Sequence, residues 1–464
     1  MNKKELLFSR KDLWHLIWPL LVEQILNNTL GIADILMVAS KGEAAAAGVS
    51  LVDQINILLV QIFAALSTGG AVVCSQYIGA RNQKMANNTA RQLIITVFFI
   101  ALFFMVFGLL FSSTILTGIF GNVDYSVMQA SRTYFLITLL ALPSIALYNA
   151  ASSLFRAQGN SRISMMIALL INVINIGGNA VMIYGMGAGV EGVAVPTFIS
   201  RTAAAVVLIF LLYIKKTYDG KESVNIKGIL KTLPDFTIIR RILKIGVPNG
   251  IESSAFQIGK LLVLGLTASY GTAAIAANAA SNTIASFQVL PGTAMGFALL
   301  TVAGQCMGAG KPEQAQYYTK RIMLVCYAFM WLLNIPMLAF LRPIAGLFNM
   351  SEHTTDLAYL FVFFHGTCAM LIWPLSFSLP NVLRAAGDAA YTMIICMISM
   401  WTVRVGAAYL FKYTDNFGLC SYFGVSSDYG AFGIWVAMIL DWIIRSAFFT
   451  VHYARGKWKS RRVI

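Results

Sequence analysis

Stretches of about 20 or more mainly apolar residues, long enough to cross the hydrocarbon core of a bilayer, recur along this sequence from end to end. Twelve can be drawn, at roughly 13–38, 47–73, 92–116, 131–155, 163–187, 192–214, 245–269, 274–303, 322–346, 357–381, 390–412 and 430–453. With 58% hydrophobic and 11% charged residues over 464 positions, no water-soluble core could take them all in. The pattern predicts an all-α polytopic membrane protein, because a helix satisfies its backbone polar groups without water. The first run is too long for a secretory leader and lacks a small-residue cleavage site, so it is read as a retained span.

The formal charge of +15 would suit a nucleic-acid partner, but its distribution argues for a membrane instead. With the N-terminus inside, 26 of the 34 Lys and Arg fall in cytoplasmic segments, and only Lys41, Arg132, Arg342 and Lys412 fall opposite. Lys3, Lys4, Lys215 and Lys216 belong to the cytoplasmic set. This positive-inside asymmetry predicts a multi-pass protein of the cell (inner) membrane with both termini cytoplasmic. The six cysteines are scattered without metal-ligand spacing; Cys420 alone falls in an expected outer loop, so no disulfide framework is implied. No phosphate-binding loop, dinucleotide fingerprint or zinc signature occurs, and no nucleophile–base set. The expectation is a protein that is not an enzyme, needs no cofactor, and draws energy for uphill movement from an ion gradient.

The polar interval 215–244 divides the chain into an N-terminal six-helix lobe (1–214), a cytoplasmic linker and a C-terminal six-helix lobe (245–464). At an offset of 229 residues, Pro19 meets Pro248, Glu23 meets Glu252, Gly42 meets Gly271, Gln76 meets Gln305 and Gly79-Ala80 meets Gly308-Ala309. Beyond the third span the offset drops by one, and Arg156-Ala-x-Gly159 meets Arg384-Ala-x-Gly387. An even number of spans per repeat keeps both in one orientation, which predicts two pseudo-symmetric lobes around a central cleft, rocking to expose it alternately.

Polar residues inside spans are costly and normally face a partner or a wet cavity. The first span holds Glu23, Asn27 and Asp34; the two carboxylates return to nearly one helix face, roughly 16 Å apart along the axis. Either they line a polar path or neighbouring helices hold them as structural carboxylates. The fifth span adds Asn172, Asn175 and Asn179, with Gly177 and Gly178 permitting close helix approach. The sixth adds Thr197 beside Pro196, where a freed carbonyl must find a partner. Together these oxygens suit a hard cation such as sodium, or a proton relay; ordinary interhelical hydrogen bonding is the bland reading. The second half has Val263 in place of Asp34 and offers Glu252, Gln257 and Lys260. Arg201 and Arg404 either snorkel or pair with a buried acid. His365 is either a titrating group or packing, and Glu191 suits a helix start.

These features together resemble the multidrug and toxic compound extrusion (MATE) family of cation-coupled antiporters. The motifs are Gly31-Ile-Ala-Asp34-Ile-Leu-Met-Val38, Ser75-Gln76-Tyr77-Ile-Gly79-Ala80, Arg156-Ala-Gln-Gly159 and Pro248-Asn-Gly-Ile-Glu252. The resemblance implies exchange of H⁺ or Na⁺ for amphipathic, cationic organic compounds, by alternating access. It implies a cation-coupling set of Asp34, Asn175, Asn179 and Thr197, which would also be the place for Na⁺. Many members carry a second aspartate where this sequence has Asn179, so a single carboxylate would take one proton or hold sodium more weakly. Glu23, Asn27, Glu252, Gln257 and Lys260 are expected to line the substrate cleft. The expected partners are small organic molecules and the lipid bilayer, with the protein a monomer. A flippase of a lipid-linked precursor from the same superfamily is the alternative, and a channel fits two unequal lobes less well.

Overall fold

A computed structural model of the protein describes residues 6–464 apart from 122, 215–216, 219–220 and 416–429. Lys3, Lys4, Lys215, Lys216 and Cys420 lie outside the described residues. In the first half, helices follow one another as α1 (Arg10–Ala39), α2 (Glu43–Gly79), α3 (Gln83–Leu110), the short α4 (Ser112–Phe120) and α5 (Tyr125–Ala157). Next come α6 (Ser161–Ala180), which runs on through a π-helical turn at Val181–Gly185, and α7 (Glu191–Ile214). The second half contains α8 (Phe236–Ala268), α9 (Thr272–Gln288), α10 (Leu290–Gly308), α11 (Pro312–Ala339), α12 (Leu341–Gly346) and α13 (Glu352–Trp373). It closes with α14 (Pro380–Ala385), α15 (Ala389–Ile398), α16 (Gly406–Asp415) and α17 (Phe432–Ala454). Thr217–Tyr218 and Lys221–Glu222 form a minimal antiparallel ribbon between the halves.

Among the described residues, eleven helices are long and apolar enough to cross a membrane. The expected seventh span, α8, has the length, at 33 residues, but Glu252, Gln257 and Lys260 interrupt its apolar run. Three other expectations change. The eighth span is broken at Val289 into α9 and α10. The tenth and eleventh each contain a π-helical turn, at Pro374–Ser378 and Ser399–Val405. The linker is shorter than 215–244, because Asp235 accepts from the backbone N–H groups of Thr237 (3.1 Å) and Ile238 (3.3 Å) and so starts α8 at Phe236.

Two compact units result: Met1–Gly250 with Gly304–Gly310 and Val463–Ile464, and Ile251–Ala303 with Lys311–Arg462. Their division falls inside α8, just past Pro248, rather than in the polar interval. In the first unit, α5 packs on α2, α3 and α7, while α1 lies along α6 and α6 against α7. In the second, α13 packs on α9, α11 and α17. Outward-facing Phe99 and Phe103 are 62% and 64% exposed, as are comparable residues on other helices. Such apolar outer surfaces would aggregate in water and are the expected lining toward lipid. His365 is packing: it is buried, its Nδ1 lies 2.6 Å from Gln288 Oε1, and its ring sits edge-on to Trp435 and Trp442.

The internal repeat is visible in backbone conformation. Gly42 and Gly271, preceding α2 and α9, have φ of +105° and +102°; Gly159 and Gly387 have +84° and +92°. The Gln-x-x-Gly pair also finds its reason in the first unit. A Cβ at Gly79 would strike the carbonyl of Gln305, and one at Gly308 would strike that of Gln76, so α2 and the end of α10 meet backbone to backbone.

Candidate ion-coupling site

Packing of α1 on α6, and α6 on α7, gathers the four expected residues of the first unit into one hydrogen-bonded chain. Asn179 Nδ2 donates to Asp34 Oδ1 at 2.6 Å and to Asn175 Oδ1 at 3.3 Å. Asn175 Nδ2 in turn donates to Thr197 Oγ1 at 2.9 Å, and Thr197 passes its own proton to the Val193 carbonyl at 2.8 Å. One helical turn separates Asn175 from Asn179, which puts both amides on the face turned toward α1 and α7. The approach of α6 to α7 depends on Gly178, where a Cβ would lie 2.8 Å from that of Pro196; Gly177, expected to share this role, faces open space. Asn172 stands apart and returns its amide to the Ala168 carbonyl at 2.9 Å.

The chain is not closed. Asn175 and Asn179 are fully buried, yet Asn179 Oδ1 has no hydrogen-bond partner. Burying an unmet acceptor costs about 1–3 kcal/mol. A protonated Asp34 or a small cation would supply the missing partner, so the arrangement can alternate between a charged and a neutralised carboxylate.

The two Pro-x-x-x-Glu carboxylates behave differently. Glu23 is 1% exposed and receives Arg156 Nη1 at 2.7 Å; Glu252 receives Arg384 Nη2 at 2.6 Å. The arginines come from the Arg-Ala-x-Gly motifs, so the two most specific repeat motifs are two ends of one ion pair. Each glutamate thus has the helix-borne partner that the structural reading requires. Of the other expected cleft residues, Asn27 and Lys260 are exposed and Gln257 is half-buried.

Sequence reasoning missed Asp53 and Tyr134. Asp53, in α2, accepts from Tyr134 Oη at 3.0 Å and lies close enough to Asp34 for the charges to act on each other. A carboxylate inside the apolar run 47–73 was the available signal. Arg201 lies over the Tyr148 ring at 5.7 Å and adds a positive charge in the neighbourhood of Asp34. Among the described residues no three acidic, histidine or cysteine side chains gather as a metal site.

A repeated bundle of long apolar helices with a buried polar chain has the architecture of a membrane transporter. The MatE family model matches residues 19–181 and again 248–410, and the chain belongs to that family. The "Probable multidrug resistance protein NorM" of Thermotoga maritima is 25% identical, over 100% of this chain and 96% of that protein. The "Uncharacterized transporter YisQ" of Bacillus subtilis is 29% identical, over 97% and 94%. A crystal structure of MATE in complex with MaL6 shares the fold with a TM-score of 0.87 at 18% identity, covering 97% of this chain and 96% of that one. Both matched segments begin on the Pro-x-x-x-Glu prolines, which is the internal repeat read above.

Proposed function

We propose that the protein is a proton-coupled antiporter of the cell membrane that exports amphipathic organic compounds by alternating access, with both termini cytoplasmic. The observation that carries this reading is the chain from Asp34 through Asn179 and Asn175 to Thr197, with its unmet Asn179 Oδ1. Asp34 takes a proton when exposed outside and gives it up inside. In the neutral state its hydroxyl donates to Asn179 Oδ1; in the charged state it accepts from Asn179 Nδ2. Either way the change is transmitted to α6 and α7, the helices that hold the rest of the chain.

Sodium would need a different arrangement. It is bound by oxygens, whereas here an amide nitrogen faces the carboxylate, and Asn179 would have to turn its oxygen inward. Asp34, Asn175, Asn179 and Thr197 would then be the ligands. The present hydrogen bonds favour the proton.

The naming of the Thermotoga maritima relative supports small organic compounds as the exported class. That these compounds are cationic is what the family resemblance implies; Glu23 and Glu252, expected to attract them, are paired with Arg156 and Arg384. The test is transport of cationic and anionic fluorescent amphiphiles in proteoliposomes, under a proton gradient and then a sodium gradient. The proton gradient should drive transport in the wild type and fail in Asp34→Asn. Full gradient-driven transport by the variant, at equal reconstitution, would refute the assignment.

A further inference from the structure

The second unit carries an excess of positive charge within its membrane helices. Glu252 is paired with Arg384 at 2.6 Å and Asp441 with Arg445 at 2.8 Å. Arg404 and Lys260 have no acidic partner in a salt bridge among the described residues, so within this group of side chains four cations stand against two carboxylates. Asp441 already accepts from Ser399 Oγ and Arg445 Nε on one oxygen. Its single charge serves both Arg445 and Arg404, which lies near enough to feel it. An ionised side chain at the bilayer centre costs at least about 2.5–3.5 kcal/mol, and such residues mark ligand pathways.

The two surplus cations lie together. Arg404 is 8% exposed, its Nε has no hydrogen-bond partner, and its guanidinium lies 5.3 Å from the centre of the Phe256 ring. Phe256 and Lys260 are one turn apart on α8 and share a face. Lys260 is exposed and close enough to Arg404 for mutual repulsion. Arg404 sits in the π-helical turn Ser399–Val405, a distortion that recurs at functional sites. At this point α8 presses against the turn, since a Cβ on Gly259 would strike Met400. Two like charges lie near each other, one buried with an unused donor and one accessible, and the one carboxylate that reaches Arg404, Asp441, is already paired with Arg445.

We propose that Arg404 and Lys260 bind the carboxylate of an aromatic organic acid, with Phe256 as the apolar wall beside it. Acids of this class, including zwitterions, are then substrates of the antiporter; that they are exported rests on the function proposed above, whereas the binding does not. The guanidinium fork supplies paired donors to the two carboxylate oxygens, and Lys260 supplies the accessible charge that admits the ligand.

The test is binding of 2-naphthoate, and of the neutral isostere 2-naphthamide, to the purified full-length protein without any ion gradient. The acid should bind the wild type at least about tenfold more tightly than the amide, the difference expected for a charge-assisted hydrogen-bonded contact. Arg404→Gln and Lys260→Gln should each erase that preference, bringing the acid's affinity down to that of the amide. Lys260→Gln, at an exposed position, keeps the test open should Arg404→Gln fail to fold. Equal binding of acid and amide, no binding of the acid, or a preference that survives Lys260→Gln would overturn the proposal. Loss of gradient-driven transport with the preference intact would overturn the coupling reading alone.

Discussion

Arg384 crosses 132 residues of sequence to donate to Glu252 at 2.6 Å, and Arg156 makes the equivalent bond to Glu23 at 2.7 Å. In both repeats the first span is therefore tied to the end of the fourth, and the tie bridges the elements between them. Breaking one partner of a buried pair leaves an uncompensated charge and costs about 3–5 kcal/mol. Glu23→Gln and Arg156→Gln should each lower the thermal unfolding midpoint strongly. The double variant should lose less than the sum, the signature of a direct pair. Unfolding followed in detergent by tryptophan fluorescence gives the cycle; strict additivity would mean that the two side chains do not act together.

Replacing Asn179 by aspartate places a second carboxylate beside Asp34, where an amide now donates at 2.6 Å. Two adjacent carboxylates repel unless a proton or cation neutralises one of them. Asn179→Asp should therefore bind sodium more tightly than the wild type does. The gain reads as thermal stabilisation by sodium, about 2.7 kcal/mol when sodium stands about 100 times above its Kd. Equal sodium responses from the two proteins would remove the link between this residue and ion choice.

The C-terminal segment is built into the second unit. Trp458 is fully buried, stacks on Tyr453 at 5.2 Å and donates from Nε1 to the Tyr453 carbonyl at 3.0 Å. Asp388 binds Arg461 Nη1 at 2.7 Å and His452 Nε2 at 2.8 Å, and Lys459 reaches Glu313 at 3.1 Å. Trp458→Ala should cost about 3–5 kcal/mol, as for other buried aromatic truncations. Arg461→Ala, half-exposed on its own side, should cost far less. Thermal unfolding of the two variants, measured side by side, checks the order.

How much of this was readable from residues alone follows from range. Asn175 and Asn179 sit one turn apart, so their shared face was legible, and an aspartate in an apolar helix called for such a partner. The pairing of Glu23 with Arg156 was not legible: each lay in a conspicuous motif, but nothing in local spacing joins positions 133 apart. The break at Val289 was hidden because an apolar run has the same composition whether one helix or two pass through it. Asp53 was a signal left unused. Arg404 was seen but could not be assigned, since its surroundings come from α8 and α17.

Asp34, in the function proposed above, exchanges a proton for substrate. The direct measurement is proton release from the purified protein in weakly buffered detergent solution, on adding the amphiphile that is best transported in proteoliposomes. The wild type should release protons as the ligand saturates, and Asp34→Asn, folded and still able to bind, should release none. Equal release from both proteins would contradict the account and place the coupling proton on another residue.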